Sequence, residues 1–176
     1  AILIKRDDQI HPIICGNKWR KLEGHLKNYS DSGKKRILSM GGVHSNHLHA
    51  LAYVCNSLNI SCDLLIYGWH DGSLSPTLED ALRWSANLHP LTRRDAQQVR
   101  DQNYECIQDK LHAAYWIPEG GGGDAGMIGI KNLVDELPSD FDQATHLIVC
   151  PCGSGTTLNG LIKYTSNIKI VSLKNV

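Results

Sequence analysis

The stretch LIVCPCGSGTTLNGLIKY, Leu147 to Tyr164, decides the fold. Its first residues are β-branched or apolar and read as a strand over Leu147 to Cys150. Gly153-Ser154-Gly155 then turns the chain, and Thr156 to Tyr164 has the composition of a helix. Glycines let a backbone approach an anion with no Cβ in the way. The free N–H groups at the following helix start would point at that anion, and the helix dipole favours negative charge there. The hydroxyls of Thr156 and Thr157 add donors. The Lys-Ser/Thr pair of a P-loop is missing. A tight strand-to-helix turn needs no ligand, but two glycines with three hydroxyls favour a phosphate.

Outward from this unit the same alternation recurs. Strands are expected over Ile2 to Arg6, Arg36 to Met40, Cys62 to Tyr67, Tyr115 to Ile117 and Ile168 to Leu173. Helices are expected from Asn17 to Tyr29, behind Ser45, from Ser75-Pro76 towards Asn87, over Arg94 to Leu111 and over Met127 to Leu137. Trp19, Leu22, Leu26 and Tyr29 form one apolar stripe. Strands alternating with helices predict an α/β fold: an open, mostly parallel sheet with helices on both faces. Ligands of such sheets sit at the carboxyl ends of the strands.

Composition fits one globular region. The 176 residues are 41% hydrophobic and 20% charged, with 18 basic and 18 acidic side chains. That balance argues against a nucleic-acid partner. No apolar run approaches the about 20 residues of a membrane span. The opening AILIKRDD lacks the features of a signal peptide, so the cytoplasm is the expected compartment. The six cysteines, Cys15, Cys55, Cys62, Cys106, Cys150 and Cys152, form no CxxC pair and are expected as buried free thiols.

Three further segments could carry chemistry. In GNKWRKLE, Gly16 to Glu23, Lys18 falls in the first turn of a helix. The dipole there and the neighbouring Arg20 and Lys21 would lower its pKa, as suits a lysine that forms an imine. A solvated basic helix end is the plainer reading of that segment alone. In GGVHSNHLHA, Gly41 to Ala50, Ser45, Asn46 and His47 open a helix and suit a carboxylate, with Ser45 also the natural cap. His44, His47 and His49 lack metal-ligand spacing, and no metal is expected. In PEGGGGDAG, Pro118 to Gly126, four consecutive glycines are taken as unsuited to packing. They imply a flexible loop or backbone lying against a ligand.

With these segments in order, the sequence resembles the pyridoxal-phosphate enzymes grouped as 1-aminocyclopropane-1-carboxylate deaminase and D-cysteine desulfhydrase, of the tryptophan synthase β-like fold (fold type II). IKRDD (Ile4 to Asp8), GNKWRKLE, GGVHSNH, PEGG and CGSGTT (Cys152 to Thr157) carry the resemblance. It implies that Lys18 is the lysine bound covalently to pyridoxal 5'-phosphate and that Asn46 lies beside the cofactor's 3-hydroxyl. It implies that Gly153, Ser154, Gly155, Thr156 and Thr157 wrap the phosphate. Ser45 matches a serine near the substrate that serves as nucleophile or proton-transfer partner in the deaminase, which makes it a catalytic candidate beside Lys18, and Ser45, Asn46 and His47 would bind that small amino acid. The implied reaction turns a D-cysteine or cyclopropane amino acid into a 2-oxo acid and ammonia, with sulfide from cysteine. A racemase, dehydratase or β-replacement enzyme of the same fold is the alternative, as is a non-catalytic phosphate-binding remnant. His47 stands where the deaminases proper usually carry Gln, which leans away from a strict cyclopropane-ring opener. Family members run longer, so a fragment or truncated member is expected, with the C-terminal part of the fold absent. Residues 1–176 would hold two intertwined subdomains, the smaller spanning about 33–123, and the family implies a homodimer.

Overall fold

The computed structural model describes residues 2–14, 16–70, 72–102, 114–138, 141, 145–165 and 168–174. Cys15, Cys106 and the part of the expected fourth helix beyond Gln102 lie outside the described residues. The elements run α1 (Asn17–Asp31), β1 (Arg36–Gly42), α2 (Asn46–Ser57), β2 (Ser61–Tyr67), α3 (Pro76–Arg83), β3 (Asn87–Leu91), α4 (Arg93–Asp101), β4 (Ala114–Ile117), α5 (Gly123–Asp135), β5 (Leu147–Cys152), α6 (Thr156–Tyr164) and β6 (Lys169–Lys174).

The chain forms two sheets, and every pairing is parallel. Four strands run in the order β3-β2-β1-β4, and β5 pairs with β6. β1 pairs with β2 on one side (Ile37 opposite Cys62) and with β4 on the other (Ile37 opposite Tyr115). The chain steps from β1 to β2 and β3 on one side and then crosses back to β4 on the other side of β1, which opens a crevice at the carboxyl ends of β1 and β4.

The strand cores are buried on both faces, which explains their near-continuous apolar runs. Ile37, Leu64, Ile66 and Ile117 meet α1, α2 and α3 on one face, where Leu22, Leu48, Leu51 and Leu78 are fully buried. Leu38, Met40 and Leu65 meet Ala96 and Val99 of α4 on the other. Ile130, Cys150 and Leu161 form a smaller core between α5, α6 and β5. Cys55, Cys62 and Cys150 are buried free thiols and Cys152 is half-buried.

Several sequence expectations need correction. Residues 2–6 form no strand; Ile2, Leu3 and Ile4 are exposed, and no described strand offers them a ladder partner. The helix from Ser75-Pro76 stops at Arg83, because Ser85 takes φ +60° and the chain turns into β3, a strand absent from the sequence reading. β3 lies at the sheet edge, where Pro90 costs no ladder bond on its free side. Trp19 is 38% exposed, while the polar Arg20, Lys21 and His25 of α1 are buried. The reason is α5, which packs so closely that a Cβ at Gly129 would lie 2.0 Å from the Arg20 carbonyl oxygen. The glycine run also packs, contrary to expectation: a Cβ at Gly120 would meet the Ser154 Cβ at 2.7 Å, and Gly120 holds φ +70°.

Candidate functional site

All four loop segments singled out in the sequence meet at one cavity of about 790 Å3. Lys18 comes from the start of α1, Ser45, Asn46 and His47 from the start of α2, Glu119 and Gly120 from the loop behind β4, and Gly153, Ser154, Gly155 and Thr157 from the turn between β5 and α6. Thr156 is buried behind that wall and does not line it; its Oγ1 lies 3.3 Å from Ser154 Oγ. The volume suits a cofactor-sized ligand.

The glycine turn is built as an anion cradle. Gly155 is the N-cap of α6 at φ +80°, and no side chain caps the helix. The first amides of α6 have no partner within the helix. A Cβ at Gly153 or Gly155 would meet nothing within 4 Å, so space lies open over this backbone.

Lys18 sits in the first turn of α1, behind Gly16 at φ +61°. Its Nζ donates to Asn17 Oδ1 at 2.7 Å, and Asn17 Nδ2 donates to Thr157 Oγ1 at 3.0 Å. A short side-chain bridge therefore ties the lysine to the glycine turn. Lys21, one turn further on, donates to Ser154 Oγ at 3.1 Å and is 3% exposed. Burial, then the charge of Lys18, pushes its pKa down from 10.5 to about 8. Lys21 was missed as a site residue, although its spacing of three from Lys18 places both on one helical face. Arg20 plays no such part. It is held by Asp7 (3.0 and 3.1 Å) and Glu136 (2.7 and 2.8 Å), which neutralise the charge expected to act on Lys18.

Ser45 caps α2, accepting from Leu48 N at 3.3 Å. His47 is 2% exposed, with Nε2 2.9 Å from Ser39 Oγ. Ser39 spends its own proton on the Ile117 carbonyl at 2.8 Å, so its oxygen accepts and His47 Nε2 carries the ring proton. Burial, then His25, Lys18 and Lys21, lowers the His47 pKa to about 3, which keeps the ring neutral. Its Nδ1 is buried without a partner among the described residues. His49 turns instead to Asp80 at 3.0 Å, so the histidines of this segment do not converge. Among the described residues no group of three or more His, Cys, Asp or Glu could hold a metal. No described helix is long and apolar enough to cross a membrane.

A parallel α/β frame, a cavity at its strand ends, a glycine-lined helix start and a lysine bridged to it define a class: proteins that hold a phosphorylated ligand beside a reactive amine. The chain belongs to the family described as pyridoxal-phosphate dependent enzyme, whose pattern it matches over residues 1–174. The fold is that of the tryptophan synthase β-like members. A crystal structure described as an ACC deaminase homologue superposes with a TM-score of 0.80 at 26% identity, covering 96% of this chain and 54% of that one. The bifunctional D-cysteine desulfhydrase/1-aminocyclopropane-1-carboxylate deaminase of Arabidopsis thaliana is 29% identical over 177 residues, covering 90% of this chain and 43% of the relative. The D-cysteine desulfhydrase of Salmonella newport is 27% identical over 172 residues, covering 91% and 51%. The chain thus spans about half the length of these curated relatives.

Proposed function

We propose that the chain binds pyridoxal phosphate at Lys18. With it, the chain deaminates a small amino acid of the D-cysteine or 1-aminocyclopropane-1-carboxylate type to a 2-oxo acid and ammonia, with sulfide from cysteine. The observation that carries this reading is the bridge Lys18–Asn17–Thr157, which sets the amine and the phosphate cradle on one cavity. A second feature supports the fit: Lys21 is a buried ammonium that donates to the Ser154 hydroxyl, an arrangement that a phosphate dianion would relieve.

The bound cofactor supplies a conjugated ring that draws electrons from the bonds at the substrate's α-carbon. The chain's residues do the rest. The amides of Gly153 to Thr157, with the hydroxyls of Ser154 and Thr157 and with Lys21, would hold the phosphate. Asn46 offers its amide to the ring hydroxyl. Ser45 and the α2 amides hold the substrate carboxylate against the helix start. Lys18 anchors the cofactor and, once released, is the base at hand for the α-proton.

Borohydride reduction followed by peptide mass mapping tests the assignment. The added cofactor mass belongs on the peptide carrying Lys18, and Lys18→Ala should lose both that mass and turnover. A protein that stays colourless with added pyridoxal phosphate would overturn the reading, and product analysis with D-cysteine and the cyclopropane amino acid decides between the two chemistries.

A further inference from the structure

A second pocket adjoins the cavity. Ser45, Arg100 and Glu119 line both spaces, and beyond them lies a volume of about 740 Å3 bounded also by Tyr67, Arg93 and Gln97. Arg100 is fixed at the partition. Its Nε donates to Glu119 Oε2 at 2.8 Å, and its guanidinium lies 4.9 Å from the centre of the Tyr67 ring. Tyr67 donates to the other Glu119 oxygen at 2.5 Å. Both oxygens of Glu119 are thereby engaged, and the guanidinium is held by Glu119, by the face of the Tyr67 ring and by a hydrogen bond to the Tyr67 side chain. Among the described residues neither Nη of Arg100 donates to a carboxylate, and Arg93 makes no ion pair. His44 is the remaining titratable side chain of this chamber. With two guanidinium groups against one carboxylate, the outer space carries net positive charge.

The substrate's α-carboxylate has its own place at Ser45 to His47. Arg100 is therefore a second anion receptor, one chamber further out. We propose that the outer chamber takes the substrate's side chain and that Arg100 selects amino acids whose side chain ends in negative charge: a carboxylate, a sulfonate or a thiolate. The inference rests on the cofactor and carboxylate placement proposed above, and it narrows the substrate. Beyond its bonds to Glu119 and Tyr67, a guanidinium fixed on an aromatic ring keeps Nη hydrogens that suit such a group. A neutral side chain would leave those donors unpaired inside a ligand-filled site, which is how polar sites reject the wrong ligand. The cyclopropane amino acid has no charge to offer there, and the thiolate of cysteine has.

The test starts from the full chain loaded with pyridoxal phosphate, loading being confirmed by the visible absorbance of the lysine adduct and by reduction onto Lys18. Alanine, serine and the cyclopropane amino acid form the neutral set; aspartate and cysteate, as both enantiomers, form the acidic set. Dissociation constants are read from the change in cofactor absorbance. The acidic set should bind about tenfold to a hundredfold tighter. Arg100→Gln should bring that ratio near one, Arg100→Lys should retain part of it, and Arg93→Gln should lower it less. A merely structural role for Arg100 would weaken both sets together and leave the ratio intact, which refutes the assignment, as does equal binding of both sets by the unaltered protein. A protein that loads no cofactor refutes the earlier reading instead; a loaded protein without the preference refutes this one alone.

Discussion

Replacing Lys21 with methionine isolates the electrostatics of the phosphate cradle. The ammonium is 3% exposed, and burial with the nearby Lys18 charge holds its pKa at about 8 instead of 10.5. At roughly 1.4 kcal/mol per pH unit, keeping this charge costs the folded chain about 3 kcal/mol at neutral pH. Below pH 8 the folded and unfolded chains both hold the proton, and the penalty is present in full. Between pH 8 and 10.5 the folded chain has released it while the unfolded chain keeps it, so stability climbs with pH. Methionine keeps much of the apolar stem and removes the charge. Lys21→Met should therefore raise the stability of the ligand-free chain at pH 7 by about 1–3 kcal/mol, the lost bond to Ser154 offsetting part of the gain. It should also remove the climb above pH 8. Urea titrations at pH 7 and pH 10 measure both effects. Binding has the opposite sign: an anion in the cradle favours the charged amine. Calorimetry with inorganic phosphate at pH 9, in two buffers of different ionisation heat, should show proton uptake by the unaltered chain and less by the variant, with weaker binding by the variant. Equal uptake by the two chains, or a variant no more stable at pH 7, would refute the reasoning.

Two further outcomes follow from the packing around the site. Gly129→Ala puts a Cβ 2.0 Å from the backbone oxygen of Arg20, so α1 and α5 must separate; the loss should be about 3 kcal/mol or more by urea unfolding, and a loss under about 1 kcal/mol would mean that the helices yield freely. Arg20, then Lys5, holds the Glu136 carboxyl down to about 2 from 4.5, so its contribution is present above pH 4.5 and is lost as pH falls towards 2. Because Glu136 is 44% exposed, solvent screens this term, and the expected sign is a shallower acid limb for Glu136→Gln between pH 4.5 and 2, checked by denaturant titration across that range.

How much of this could be read from the sequence depends on how far apart the interacting residues lie. The turn at Gly153 to Thr157 and the helix starts at Lys18 and Ser45 were legible because each works through its own amides, glycines and hydroxyls, within about one helical turn. The parallel frame was legible for a related reason: strands buried on both faces, such as β1 and β2, must read as apolar runs wherever they pair. A strand assignment without a partner is weaker, and residues 2–6 show it, having the composition of a strand but no ladder. β3 fails in the other direction, since Asn87, His89 and Pro90 look like loop until β2 pairs with them. The glycines of residues 120–123 look like slack until Ser154 and α1 come to lie against them. The partition between the two chambers is the extreme case. Tyr67 and Glu119 are 52 residues apart, and Arg100 and Glu119 are 19 apart. No periodicity relates them. The sheet relates them, because the crossing from β3 back to β4 brings the end of β2 and the loop behind β4 to one pocket, which α4 also lines. Local patterns thus carry the proposed cofactor site, whereas the proposed substrate selection at Arg100 depends on which loops the topology makes neighbours. For that reason Lys21→Met tests the proposed cofactor cradle, and Arg100→Gln tests the reading of the substrate in a chain that has loaded the cofactor.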